Sequence, residues 1–290
     1  MTMQSHDSYR GRYGPWALIA GGSEGIGLSF ATALAARGLD LLLVARRDAP
    51  LEEAAAKIRE RFRVRVITQP LDLTAPGLDA AVNALTGGRE VGLLVCNAGA
   101  AHGAAMLLDR PVEAALALVR LNCVAPLTLT HMLGAQMRER GRGGVILVSS
   151  MAGLAGGALI AAYAAGKAFE IALAESLWYE FGTAGVDVLG LVAGATATPA
   201  MLRSRVRFGT AADDAARAAD GPATSTVPME PDEVVREALE HLGRGPIHVA
   251  GEANRRAAQG LRSAARDAVV TAMSSAVAEM YGTPLPARLP

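Results

Sequence analysis

The chain has little of several features that would point to a particular partner. Its 28 Lys and Arg residues balance 28 Asp and Glu residues over 290 positions, so the net charge is zero and the pI is near 7.0. A balanced charge gives no indication of the broad electrostatic attraction that a protein binding nucleic acid or an anionic membrane needs. The two cysteines, Cys96 and Cys123, and the five histidines show no metal-ligand spacing. Neither a disulfide framework nor a metal site is therefore expected.

Long hydrophobic runs are also missing. Residues 1–15 are polar and lack the apolar core of a signal peptide. The stretch 153–166, GLAGGALIAAYAAG, is apolar but too short to cross a bilayer. We therefore predict a cytoplasmic protein with reduced thiols and no membrane span.

Aromatic residues make up only 4% of the chain, so the core must be built mainly from Ala, Val and Leu. Seven short apolar runs alternate with helical patterns from residue 16 onward. This alternation indicates a parallel sheet whose strands are buried on both faces. The predicted fold class is α/β, a doubly wound sheet of about seven parallel strands with helices on both faces. The predicted strands are 16–21, 39–45, 64–69, 91–96, 144–149, 186–192 and 246–251.

The pattern divides the chain into one domain with two flanking pieces. Residues 1–13 are a polar tail, and 14–252 form the α/β domain, with long helical patterns over 112–140 and 163–182. Residues 197–231 are polar and rich in turn formers, and their position after the sixth strand favours a substrate lid. Residues 253–290 form a helical extension, for which a solvated helix packed on the domain is favoured over a role toward a partner or membrane surface.

A glycine-rich segment, GGSEGIG, follows the first predicted strand and leads into a helix. Glycines at such a turn allow the backbone to approach a pyrophosphate, which then lies at the positive end of the helix. The alternative is a tight turn without a ligand. The loop residues predicted to bind a dinucleotide are Gly21, Ser23, Gly25, Ile26 and Gly27.

The second predicted strand ends in two arginines, Arg46 and Arg47, and has no acid at its tip. An acidic residue there commonly binds the ribose 2′-hydroxyl of NAD, whereas arginine accommodates the 2′-phosphate of NADP. NADP(H) is therefore favoured over NAD(H). The alternative is that both arginines are merely solvated, and Glu24 within the glycine loop argues against a phosphate.

Lysine is scarce, since Lys57 and Lys167 are the only two among the 28 basic residues, and Lys167 follows Tyr163 by four positions. Together with other motifs in chain order, this Y-x-x-x-K pattern resembles the short-chain dehydrogenase/reductases in their compact single-domain form, with a Rossmann-type sheet. The resemblance covers residues 14 to about 200, and more loosely to 251. Three departures from the family pattern are Ala20, Ala193 and Gly166. The matching motifs beyond the glycine loop are Asp72 and Leu73, Asn97, Ala98 and Gly99, Asn122, Ser150, and Gly194, Thr196 and Thr198.

The resemblance implies a role for each matching residue. Ser150, Tyr163, Lys167 and Asn122 would form the catalytic tetrad, while the remaining motif residues, with Tyr163 and Lys167, would bind the cofactor. Tyr163 would exchange a proton with the substrate oxygen, Ser150 would hydrogen-bond it, Lys167 would hold the nicotinamide ribose hydroxyls, and Asn122 would serve a proton relay. A tyrosine, whose pKa in water is about 10, needs nearby positive charge for this task.

These expectations lead to one functional prediction and one alternative. The prediction is an NADP(H)-dependent oxidoreductase that interconverts a ketone and a secondary alcohol. Its small-molecule substrate would be largely apolar, because 151–162 offers few polar groups, or carrier-linked, if the lid arginines Arg203, Arg205 and Arg207 meet an anion. The alternative is a dinucleotide-binding protein with a regulatory or structural role. The resemblance also implies a homodimer or homotetramer that pairs through the helices beginning near 112 and 163.

Overall fold

The computed structural model describes residues 9–99, 103–207 and 227–286, with only the backbone of 204–207. The predicted lid therefore lies partly outside the described residues, and so do the side chains of Arg205 and Arg207.

A single sheet of seven parallel strands forms the centre of the described structure, in the order β3-β2-β1-β4-β5-β6-β7. Each predicted strand is found within a few residues of its predicted limits, which confirms the α/β prediction. The strands are β1 (Trp16–Ala20), β2 (Asp40–Ala45), β3 (Val66–Pro70), β4 (Val91–Cys96), β5 (Gly143–Ser150), β6 (Val186–Ala193) and β7 (Ile247–Val249).

Helices cover both faces of this sheet. Those that precede β6 are α1 (Gly25–Ala35), α2 (Asp48–Arg61), α3 (Leu78–Thr86), α4 (Val112–Val119), α5 (Ala125–Arg140) and α6 (Ala161–Gly182). Those that follow it are α7 (Pro199–Arg207), α8 (Pro231–His241), α9 (Glu252–Ser263) and α10 (Arg266–Tyr281).

The alternation of side chains along the strands builds two apolar layers. In β1, Ala17 and Ile19 face the layer that contains Phe30 of α1 and Val234 of α8. Trp16, Leu18 and Ala20 face the opposite layer, which includes Leu129 of α5 and Ala174 of α6. Since neighbouring residues of a strand point to opposite faces, an almost unbroken apolar run is what such a doubly covered strand requires.

Helices α4 and α5 run into one another through a single π-helical turn, Arg120–Val124. The resulting helix, Val112–Arg140, is long and apolar enough to cross a membrane by length and composition, a test that core helices of soluble proteins also pass. In this protein one side of α5 packs against the sheet through Leu129, Leu133 and Met137. The helix ends at Gly141, which adopts the left-handed conformation with φ of 67°.

Part of the predicted N-terminal tail packs against the domain. Residues 9–13 form one helical turn, and Tyr13 is buried. The Tyr13 hydroxyl and the Arg12 Nε both donate to Asp187 Oδ2 at 2.6 Å, near the start of β6.

The C-terminal extension forms two helices, and α10 packs on the segment that follows β5. Its Val277 belongs to a small apolar cluster with Leu159, Ile160 and Ala164. In addition, the backbone N–H of Ala158 donates to Ser274 Oγ at 2.9 Å. The extension therefore helps to hold the segment that leads into α6.

Candidate active site

The motif residues meet at one edge of the sheet, because the carboxyl ends of parallel strands lie on the same side. The order of the strands reverses between β1 and β4, and crevices at such switch points are where ligands bind in doubly wound sheets.

The loop between β1 and α1 is shaped by close backbone contacts. Gly21 and Gly25 have φ of 86° and 54°, which L side chains rarely adopt. A Cβ on Gly27 would overlap the Gly21 carbonyl oxygen, and one on Gly25 would lie 2.9 Å from Thr198 Cγ2. Ile26 is partly buried against the core, so its backbone N–H is the group it can offer to a ligand. Ser23 is partly exposed in the same loop.

Hydrogen bonds from the turn after β4 hold the loop between β1 and α1 in place. The Asn97 side-chain amide donates to the Gly21 carbonyl oxygen at 2.9 Å, and the N–H groups of Asn97 and Ala98 donate to Ala20 O at 3.0 and 2.7 Å. A Cβ on Gly99 would lie 2.8 Å from Lys167 Nζ. The absence of a side chain at Gly99 thus leaves room for the Lys167 ammonium.

The ends of β2 and β3 carry the charged residues of the predicted ribose site. Arg46 is exposed, whereas Arg47 donates to Glu24 Oε2 at 3.0 Å. At the tip of β3, Asp72 accepts from the backbone and the hydroxyl of Thr74, which lowers the pKa of Asp72. Its neighbour Leu73 is buried in the core.

Glu24 also reaches the beginning of the lid. Its carboxylate forms a two-point ion pair with Arg203 of α7. The hydrogen bonds from Arg203, with the nearby charge of Arg47, lower the pKa of Glu24. The negative charge in the glycine loop is therefore balanced by two arginines.

Asn122 lies in the π-helical turn between α4 and α5 and is fully buried. Such turns are rare and often mark functional positions. A Cβ on Gly166 would lie 2.9 Å from Asn122 Cβ. The departure from the family pattern at Gly166 therefore allows α6 to approach Asn122 closely.

Ser150 ends β5 and is held next to α6. The neighbouring Ser149 hydroxyl donates to the backbone oxygen of Lys167 at 2.7 Å, and a Cβ on Gly153 would lie 2.7 Å from the Lys167 carbonyl carbon. Ser150 Oγ accepts from the Ala152 N–H at 3.2 Å, which leaves its O–H as a donor for another group.

Tyr163 and Lys167 lie one helical turn apart on α6. The Lys167 Nζ is 6.0 Å from the centre of the Tyr163 ring. The lysine is buried, and its Nζ donates to Val148 O at 2.8 Å and to the two carboxylate oxygens of Glu170 at 3.1 and 2.9 Å. Burial alone would lower the pKa of Lys167, but the charge of Glu170 raises it on balance.

The segment after β6 carries the last predicted cofactor residues. The Thr196 hydroxyl donates to Gly194 O at 3.1 Å, and Thr198 Oγ1 accepts from the Met201 N–H of α7 at 3.2 Å. Gly194 is closely approached by Asn254 of α9, because a Cβ there would lie 2.5 Å from the Asn254 amide. The two ends of the lid are joined at this point, since Ala197 N donates to Met229 O at 2.9 Å.

An apolar cleft opens beside Tyr163. Leu159 and Ile160, from the segment 151–162 that was expected to meet the substrate, form one wall of the cleft. Leu107 and Leu118 form the other wall. Leu159 has φ of 69° and its carbonyl oxygen accepts from the Ala105 N–H at 3.0 Å, which ties the two walls together. Arg110 also lines the cleft.

Comparison with known proteins identifies the family. Residues 15–207 match the family model of the short chain dehydrogenases. A 7β-hydroxysteroid dehydrogenase of Collinsella aerofaciens is 33% identical over 246 residues, which are 85% of this chain and 89% of that protein. The chain is a short-chain dehydrogenase/reductase. It is therefore an oxidoreductase that acts on CH–OH or C=O groups and binds a nicotinamide dinucleotide.

Two solved structures of this family show the same architecture. One, from work on the stereoselectivity of a 7β-hydroxysteroid dehydrogenase, has a TM-score of 0.81 at 31% identity and covers 91% of this chain and 98% of that one. The other, a short-chain dehydrogenase from Sphingobium yanoikuyae in complex with NADPH, has a TM-score of 0.70 at 31% identity, with coverage of 88% and 97%.

The residues of this short-chain dehydrogenase/reductase fit a dinucleotide. The loop after β1 has its glycines at positions where a side chain would collide or be strained, and it leads into the N-terminus of α1. Within 9–99, 103–207 and 227–286, no three His, Cys, Asp or Glu side chains come together to hold a metal ion.

Two parts of the site were not predicted from the sequence. Glu170 was overlooked, although its position three residues after Lys167 places it on the buried side of α6. The second wall of the cleft, formed by residues between Gly103 and Leu118, was also not predicted, although it follows the Asn97–Gly99 turn at the carboxyl end of β4. The position after that turn is the signal that could have identified it.

Proposed function

We propose that this protein is an NADP(H)-dependent oxidoreductase that interconverts a largely apolar ketone and its secondary alcohol through Ser150, Tyr163, Lys167 and Asn122. The observation that carries the proposal is the placement of the Lys167 ammonium 6.0 Å from the Tyr163 ring, beside an apolar cleft. Both side chains come from α6, which Ser149 fixes to β5.

Each residue of the tetrad has a task that follows from its chemistry. When bound, the nicotinamide exchanges a hydride with the substrate carbon. Tyr163 gives its phenolic proton to the carbonyl oxygen during reduction, and the Lys167 charge favours the phenolate that remains. Ser150 donates its O–H to the same oxygen and stabilises the developing negative charge. Asn122, buried next to α6, contributes to the return of a proton from solvent.

The cofactor would be held by the loop and strand ends described above. The loop N–H groups of Ser23 to Gly27 would face the pyrophosphate, and Arg46 would face a 2′-phosphate. Asp72 and Leu73 would lie beside the adenine, and Asn97 to Gly99 beneath the nicotinamide ribose. Gly194, Thr196 and Thr198 would lie near the carboxamide.

The substrate is proposed from the cleft and from relatives. Apolar walls around Tyr163 suit a hydrocarbon skeleton, and relatives of this chain act on hydroxysteroids. Hydroxysteroids are therefore the first class to screen. For a carrier-linked acyl substrate, one of the three lid arginines, Arg203, is already paired with Glu24.

We also propose a cytoplasmic homodimer or homotetramer without a membrane-spanning segment. The support is that apolar side chains are exposed along α4, α5 and α6, where a second copy would cover them.

Replacing Tyr163 by Phe tests the proposed chemistry. Loss of the proton donor should lower the rate of NADPH-dependent ketone reduction at least about a hundredfold. NADPH binding, followed by the fluorescence of the nicotinamide, should persist, because the phenyl ring keeps the packing. A Tyr179→Phe variant, altered at an exposed tyrosine of the same helix, should keep full activity. A Tyr163→Phe enzyme as active as wild type would contradict the mechanism.

A further inference from the structure

Glu170 is a buried acid that the tetrad does not include. It lies one turn after Lys167 on α6, and the exposed fractions of the two residues are 1% and 4%. The carboxylate accepts from Lys167 Nζ at 3.1 and 2.9 Å through its two oxygens. Carboxylates are almost never fully buried without a partner, and here the partner is the proposed catalytic lysine.

These contacts fix the position of the Lys167 ammonium group. Nζ carries three N–H groups, and its protein partners are Val148 O on β5 at 2.8 Å and the Glu170 carboxylate. Gly99, in the turn after β4, lies next to the ammonium group, since a Cβ there would lie 2.8 Å from Nζ. Lys167 is therefore fixed from β5 and from its own helix, with Gly99 close to its Nζ.

Three further titratable groups lie near Lys167 and Glu170, and the two thiols among them do not supply a negative charge. Tyr163 shares the helix, Cys96 lies on β4, and Cys123 lies in the π-helical turn. Burial raises the pKa of Cys96 and of Cys123, and the Glu170 charge adds to both effects. The two thiols therefore remain neutral and cannot replace the carboxylate.

We propose that Glu170 is a positioning residue for Lys167: it supplies the buried negative charge that keeps the ammonium protonated and holds it beside Val148 for contact with the cofactor. The proposal rests on the tetrad proposed above. Removing one member of a buried ion pair leaves an uncompensated charge, which the protein avoids by releasing the proton. Lys167 without Glu170 would therefore become a neutral amine at a pH where the wild-type lysine is still charged.

The test is a fluorescence titration with NADPH at a series of pH values from about 6 to 9.5. Wild type and Glu170→Gln should bind with similar affinity at the lowest pH, where Lys167 is charged in both. As the pH rises, the dissociation constant of Glu170→Gln should increase about tenfold more than that of wild type, equivalent to a lysine pKa lowered by about one unit or more. Glu175→Gln, at an exposed position of the same helix, should follow wild type.

A second readout separates positioning from a structural role. The rate of alcohol oxidation by Glu170→Gln should need a higher pH to reach its plateau, because a neutral Lys167 no longer favours the Tyr163 phenolate. If Glu170→Gln does not fold, Glu170→Asp carries the test, since its carboxylate withdraws by one methylene. As the pH is raised, the affinity of Glu170→Asp for NADPH should begin to fall at a lower pH than the affinity of wild type does.

The possible results are distinguishable. If wild type binds neither NADPH nor NADH, the proposed function itself fails. If wild type binds NADPH and every folded Glu170 variant shows the wild-type pH dependence of affinity and rate, the role of Glu170 is overturned while the tetrad stands. A loss of thermal stability alone, without a change in pH dependence, also overturns it.

Discussion

At the scale of single residues, Glu24 controls how much positive charge the end of β2 offers to a ligand. Its carboxylate is paired with Arg47 at 3.0 Å and with Arg203. Arg46 has no ion pair among the residues that the structure describes. If the protein binds NADP(H) as proposed, Arg46 is the arginine of this pair that would meet the 2′-phosphate without first breaking an ion pair with Glu24.

This assignment predicts a selective effect of Arg46→Ala. NADPH binding should weaken by about 1.5–3 kcal/mol, the value of a charge-assisted hydrogen bond, while NADH binding should change little. Titration of nicotinamide fluorescence with both cofactors measures the difference. Arg63→Ala, at an exposed arginine before β3 and far from the carboxyl edge of the sheet, serves as the control. Equal weakening for both cofactors would show that Arg46 does not recognise the phosphate.

The sequence identifies functional residues that belong to a known motif. It does not identify residues whose role depends on their neighbours in the fold. Lys167 stands out because lysine is scarce and because it follows Tyr163 by one turn. Glu170 carries no motif, and a glutamate among apolar residues of a helix is ordinary until its burial against Lys167 is seen. Gly166 similarly looks like a departure from the family, although its close approach to Asn122 gives it a physical reason.

At the scale of elements, the apolar runs predict the strands well because both faces of this sheet are covered. The partner of a helix is harder to predict, since periodicity gives the apolar face but not what that face meets. Helix α10 is an example: it packs on 157–164, next to Tyr163, whereas the sequence suggested only a helix on the domain surface.

The beginning of the C-terminal extension is anchored by Glu237 of α8. Its Oε2 accepts from His248 Nε2 of β7 at 2.7 Å, from the Gly251 N–H at 3.1 Å and from Arg255 of α9 at 2.8 Å. Burial opposes ionisation, but these hydrogen bonds outweigh it and lower the pKa of Glu237 to about 2. The carboxylate thus joins three elements at one point.

Glu237→Gln should therefore destabilise the protein in a pH-dependent way. A carboxyl with a lowered folded-state pKa stabilises the fold above its unfolded pKa, and this stabilisation is lost as the pH falls toward the folded value. At neutral pH the variant should lose about 2 kcal/mol in the free energy of unfolding, and the difference from wild type should narrow below about pH 4.5. Urea unfolding at neutral and acid pH measures this.

The neighbouring Glu240 provides the matched control. It pairs with Arg236 on the same helix, but both side chains are about half exposed. Glu240→Gln should therefore change the stability by less than about 1 kcal/mol. A Glu237→Gln variant that behaves like Glu240→Gln at all pH values would show that the three-way contact does not anchor the extension.

At the scale of the whole molecule, parallel pairing follows from the alternation of strands and helices, but the order of the strands does not, because periodicity carries no information about neighbours. Sequence patterns also do not show which parts of the surface are apolar. Helices α4, α5 and α6 expose large apolar side chains that include Leu116, Leu127 and Trp178, with exposed fractions of 43%, 47% and 41%. An apolar face of this kind is typical of a surface that another protein covers.

A charge placed on this face tests whether a second copy covers it. Light scattering after gel filtration should show a dimer or tetramer for wild type, and Leu127→Glu should shift the population toward monomer, because a buried unpaired carboxylate opposes association. Met280→Glu alters a side chain with the same exposed fraction of 47% on α10 instead of on α4, α5 or α6, and should leave the assembly unchanged. A monomeric wild type would contradict the proposed homo-oligomer and leave the apolar face of α4, α5 and α6 to a different partner.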